Sequence, residues 1–114
     1  MEVNRRKERR MNILSNKPTV HGGRYVLVDY GNNFFAYGYE VNMHTLCGFP
    51  VNQCGTKEEI LNHLKSIIGL CNKNIEKYQK EFAKDNHEGW NILIDHERHQ
   101  IETLTEFEKI LTTV

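Results

Sequence analysis

The sequence predicts an α+β fold: an antiparallel β-hairpin or meander, one long amphipathic helix, a second β-hairpin and a short C-terminal helix. Three observations lead there. Aromatic and β-branched runs flank Gly31-Asn32-Asn33, residues that tolerate positive φ. An unbroken heptad stripe follows a Thr56/Glu59 capping box. A further apolar run begins after Gly89. The 114 residues, 39% hydrophobic and 26% charged, suit a single globular domain over 24–114. Residues 1–23 are expected to form a basic, partly flexible lead-in.

In that lead-in, Pro18 stops any preceding helix and Gly22-Gly23 makes a turn. Arg24 to Tyr30 reads as a strand, and Phe34 to Val41 as its hairpin partner. Along the second strand Phe35, Tyr37, Tyr39 and Val41 share one face, the expected buried one. Thr45 to Val51 is expected as a short third strand at the sheet edge, ending near Pro50.

The helix expected over 56–84 carries Leu61, Leu64, Ile68, Cys71, Ile75, Tyr78 and Phe82 at alternating spacings of three and four. Gly69 and the Asn72/Asn74 pair weaken its middle. A hairpin of two helices would have little reason to keep the heptad phase, so one helix of about 40 Å is favoured. Ile60 and Ile67 widen the apolar stripe in the first half, as for a helix lying on a sheet. The second half narrows to Ile75, Tyr78 and Phe82 between lysines and glutamates. That half either projects and pairs with a partner helix or is covered by the C-terminal segment folding back. Gly89 is read as the breaker, Trp90 to Ile94 and His99 to Leu104 as strands around an Asp95–Arg98 turn. Thr105 and Glu108 form a second capping box that opens the last helix.

Charge narrows the function classes. Basic and acidic residues balance at 15 each, which disfavours both a strongly basic nucleic-acid binder and an acidic mimic. The balance is uneven along the chain, from a net +3 over residues 1–10 to −5 over 85–114. Arg5, Arg6, Arg9 and Arg10 could lie along nucleic-acid phosphates as an arm. Glu8-Arg9-Arg10 ahead of Met11 is also what a purine-rich ribosome-binding site encodes when translated, which would make Met11 the natural start. No apolar run reaches membrane-spanning length, so a cytoplasmic protein without membrane partners is expected. Cys47, Cys54 and Cys71, an odd set, are expected as reduced thiols.

No combination of residues spells out a reaction. His44, Cys47 and Cys54 offer ligand types suited to zinc but at no standard spacing, and His96-Glu97-Arg98-His99 lacks the spacer of the zinc-protease motif. No glycine-rich phosphate loop occurs, and no motif surrounds any cysteine. Neither a metal nor a cofactor is therefore expected, and no enzymatic activity. The leading expectation is a small protein-interaction module. Its partner is another protein or a second copy, through Ile75, Tyr78 and Phe82 or through an acidic hairpin bearing Asp95, Glu97 and Glu102. Small bacterial chains of this build often serve phage or mobile elements as inhibitors or adaptors of host machinery, a base rate that no residue here carries. The alternative is nucleic-acid binding through the basic arm, Arg24 and sheet aromatics such as Tyr37.

Overall fold

The computed structural model describes residues 11–18, 23–39, 45–46, 49–50 and 52–114. Four antiparallel strands form the main sheet in the order β1 (Asn12–Pro18), β2 (Arg24–Asp29), β3 (Phe35–Tyr39) and β6 (Gln53–Gly55). β4 (Thr45–Leu46) and β5 (Phe49–Pro50) pair only with each other. Two helices, α1 (Lys57–Asp85) and α2 (Glu88–Thr113), pack as a hairpin on one face of the sheet.

The β2–β3 turn forms as the sequence requires. Gly31, Asn32 and Asn33 take φ values of 89°, 55° and 59°, and the Asp29 carboxylate accepts the Gly31 N–H at 2.8 Å. Register then places Leu27 opposite Tyr37 and Asp29 opposite Phe35 on one face, with Val28 opposite Ala36 on the other. Phe35 and Tyr37 are buried as expected, and Val26, Val28 and Ala36 are buried on the opposite face as well. Val41 lies outside the described residues.

Two strand assignments differ from expectation. Asn12–Pro18, read from the sequence as lead-in, pairs with β2 as an edge strand, with a register shift between Ile13 and Ser15. The strand beside β3 is Gln53–Gly55 rather than one over 45–51. Gly48 and Pro50 break the apolar run of 45–51, and Pro50 has no N–H to donate. Asn52 extends the β3 pairing instead, its N–H donating to the Tyr37 carbonyl at 2.8 Å and its side chain accepting the Tyr39 N–H at 2.7 Å.

α1 starts where its capping box says. Thr56 Oγ1 accepts the Glu59 N–H at 3.2 Å, and the Glu59 carboxylate accepts the Thr56 N–H at 2.8 Å. Gly55, at φ 152°, leaves room for that carboxylate, which a Cβ there would strike. The helix runs unbroken through Gly69 for 29 residues and stops at Asn86, left-handed at φ 54°. Gly89 is therefore not the breaker. It lies in the first turn of α2, where its N–H donates to the ring of the N-cap His87 at 3.0 Å.

The expected second β-hairpin and short last helix are replaced by the single 26-residue α2. Strand propensity of Trp90-Asn91-Ile92-Leu93-Ile94 and the turn reading of Asp95–Arg98 both yield to tertiary packing. From Trp90 to Val114 there is no Gly or Pro to stop a helix, and Trp90, Ile94, Glu97, Ile101 and Leu104 repeat at helical spacing towards α1. Thr105 consequently lies inside the helix and caps nothing.

Leu27, Phe35 and Tyr37 of the sheet, Ile60 and Leu64 of α1, and Leu104, Phe107 and Leu111 of α2 make one core. Tyr25 and Tyr37 meet the Phe107 ring edge-on at centroid distances of 6.5 and 6.3 Å. The structure is long, 66 × 25 × 19 Å. α1 extends about 43 Å at 1.5 Å per residue, whereas the longest strand covers about 23 Å. Helix rather than turn at 95–98 gives a direct test. Arg98→Pro should cost ~3 kcal/mol or more in urea unfolding, where a turn at that place would tolerate it.

Candidate functional site

The hairpin divides into two halves with different surroundings. Over the sheet, Ile60, Leu64, Leu104, Phe107 and Leu111 are each 0% exposed. Beyond it, Ile94 is buried but Ile75, Tyr78, Phe82 and Trp90 on the same seam remain half-buried. The reason is geometric: two helices without a third layer bury only the strip between them. The folding back of the C-terminal segment over the outer half of α1 is thus what occurs, and it leaves that half incompletely covered.

The tip of the hairpin is well ordered by its own bonds. Tyr78 and Trp90 stack at 5.8 Å with an interplanar angle of 29°. The Trp90 indole N–H donates to the Asp85 carboxylate at 3.0 Å, and the His87 N–H donates to it at 2.9 Å. These donors, His87 first, hold the Asp85 carboxyl below the ordinary range. Phe82 lies with Ile94 along a cleft rimmed by Asp95 and Arg98. Leu93 borders Trp90 at 41% exposure, and Ile92 is 62% exposed.

The acidic residues singled out in the sequence sit on α2 and not on a hairpin of strands. Asp95 and Glu102 are exposed, and Glu102 lies 3.8 Å from His99 Nδ1. Glu97 is half-buried on the seam side of α2, and its carboxylate helps to raise the buried Cys71 thiol. Across the outer half, α1 presents Lys73, Lys77, Lys80 and Lys84 with Glu76 and Glu81, while α2 is predominantly acidic.

The nucleic-acid set does not come together. Arg5, Arg6, Arg9 and Arg10 lie outside the described residues, and Arg24 is exposed at the start of β2, within 3.4 Å of the Asn16 side-chain oxygen. Tyr37 is buried beneath α1, its hydroxyl hydrogen-bonded to His63 Nδ1 at 2.7 Å, so it offers no face for a base. His44 and Cys47 also lie outside the described residues, Cys54 is exposed on β6 and Cys71 is buried. Among the described residues no group of three or more metal-ligating side chains is assembled, and no helix is long and apolar enough to cross a membrane.

Sequence reasoning missed a concavity of about 260 Å³ at the end of the sheet, where the rings of Tyr25 and Tyr39 lie 4.9 Å apart beneath the middle of α2. Its walls come from distant stretches of chain, so no local pattern announces it.

Burial sets the response to alkali. Tyr25 is pushed up to about 12, by burial first and then by Tyr39. Cys71 is also pushed up to about 12, by burial and then by the Glu97 carboxylate, and burial raises Tyr37 further. These groups are neutral when folded, so their stabilising contribution is complete below the unfolded values of 9.0 and 10.0 and is lost as pH rises through the folded ones. The urea midpoint should fall progressively above about pH 9, and Cys71→Ser should flatten the first part of that fall.

Comparison with protein-family models, with curated proteins and with solved structures found no match to this chain.

Proposed function

We propose that the protein is a non-enzymatic interaction module that engages a protein partner through the outer half of its helical hairpin. The observation that carries this reading is a contrast along one seam: Ile60, Leu64, Leu104, Phe107 and Leu111 over the sheet are 0% exposed, whereas beyond it Ile94 is buried but Ile75, Tyr78, Phe82 and Trp90 around it are only half-buried. A further helix or surface laid on that half would complete its burial, as in a helix bundle. Tyr and Trp are common anchors of binding energy because each joins a large apolar face to a polar group. Leu70, Ile92 and Leu93 add exposed apolar area to the same half of the hairpin.

Opposite charge supports the same reading. The lysines of outer α1 and the acids of α2 give a partner two edges of different sign, which favours one orientation over its reverse. Burial raises the Cys71 thiol to about 12, which makes it a poor nucleophile at neutral pH.

The partner is either a second copy or another protein, and affinity capture combined with native mass spectrometry separates the two. Full-length protein should be recovered in a complex of defined stoichiometry. The double variant Ile92→Asp/Leu93→Asp, with unchanged circular dichroism, should bind the same partner about 30-fold more weakly. A chain that stays monomeric and retains nothing the variant does not also retain would remove this reading.

A further inference from the structure

We propose that the notch between the end of the sheet and the overhanging hairpin is a binding site for a small, neutral, planar heterocycle of about nucleobase size. The notch exists because one layer of the fold stops where the other continues. Pro18, Tyr25 and Tyr39 lie at the ends of β1, β2 and β3 away from the Asn32 turn, and α2 continues past them. Together with His96, His99, Gln100 and Thr103 they enclose about 260 Å³. That is just below the range of drug-sized pockets, roughly 300–1,000 Å³, so a one- or two-ring molecule fits and a dinucleotide does not.

The walls determine the shape of the ligand. Tyr25 and Tyr39, 4.9 Å apart and tilted by 31°, together with the pyrrolidine ring of Pro18, form one side. The imidazoles of His96 and His99 come from the other side, on α2. Aromatic rings from the sheet and imidazoles from α2 along the notch favour a flat π-system, which can stack on rings of either kind.

The polar groups determine its chemistry. Gln100, half-buried, carries both a donor and an acceptor and so matches the donor–acceptor edge of a heterocyclic amide or amidine. Tyr25 keeps its proton across the physiological range and can donate. The Thr103 hydroxyl donates to the His99 carbonyl at 3.1 Å, leaving its oxygen lone pairs as acceptors. Among the described lining residues there is no Lys, Arg, Asp or Glu. The carboxylates of Glu97, which acts on Tyr25, and of Glu102, 3.8 Å from His99, stand beside the notch, so a neutral ring is favoured over a carboxylate or a phosphate.

The test is an amide-resolved NMR titration of the full chain with adenine, benzoate, adenosine monophosphate and a six-nucleotide single-stranded oligodeoxyadenylate. Adenine should give saturable shifts at Tyr25, Tyr39, Gln100 and Thr103, and benzoate should give none there. Adenosine monophosphate should bind no more tightly than adenine. Gln100→Ala, which keeps a good helix former in α2, should weaken adenine about fivefold, and Tyr39→Ala tenfold or more. Circular dichroism establishes that each variant is folded, and the comparison of adenine with benzoate on the unaltered chain needs no variant. Absence of saturation at these residues, or equal shifts in Gln100→Ala, overturns the proposal. Binding of the oligonucleotide at least tenfold tighter than adenine also overturns it, since the site would then serve a nucleic-acid strand.

Discussion

The apolar seam of α1, from Leu61 to Phe82, is longer than the sheet beneath it, and the remaining architecture follows from how that excess is covered. Over the sheet, side chains from the strands and from both helices meet and exclude water from Leu64, Leu104 and Phe107. Past the sheet only α2 is available. The chain therefore reverses within two residues, Asn86 and His87, and sends α2 back along the whole seam. The bonds from Trp90 and His87 to Asp85 fix the reversal. The notch beside Tyr25 and Tyr39 is a by-product of the same mismatch in length, as is the half-covered outer seam.

Energetically the two halves differ in kind. Each fully buried core side chain in the inner half contributes about 1.5–3 kcal/mol of transfer free energy, and truncating one also leaves a cavity. Outer seam residues that are only partly buried contribute less per side chain, so the tip depends more on its caps, the Tyr78–Trp90 stack and helix propensity. A surface of this type combines exposed aromatic area with modest local stability, the combination that association can exploit.

How much of this was legible in the sequence depended on whether the determinant was local. Thr56 with Glu59 marked the start of α1 to the residue, and Gly31-Asn32-Asn33 marked the hairpin turn, because each needs only neighbouring backbone groups. The heptad phase correctly joined the helix across Gly69 and the two asparagines. α2 was misread because Trp90–Ile94 has strand-like composition, while the reason it is helical lies across space in the exposed seam of α1. The short β6 has no alternating apolar pattern in Gln53-Cys54-Gly55, and its pairing comes from the position of β3. Ile75, Tyr78 and Phe82 were legible as one stripe, but their half-buried state required the partner helix to be placed. The residues of the notch could not be grouped at all, since Tyr25, Tyr39 and His99 come from three separate elements.

Native-state hydrogen exchange resolved by residue tests the division of the hairpin most directly. Amides of residues 60–68 and 103–111 should exchange only through global unfolding. Those of 75–82 and 90–97 should exchange through a smaller opening of lower free energy, with a weaker dependence on denaturant. Uniform protection along both helices, with one shared denaturant dependence, would contradict the account, because the outer half would then be as fully supported as the inner one.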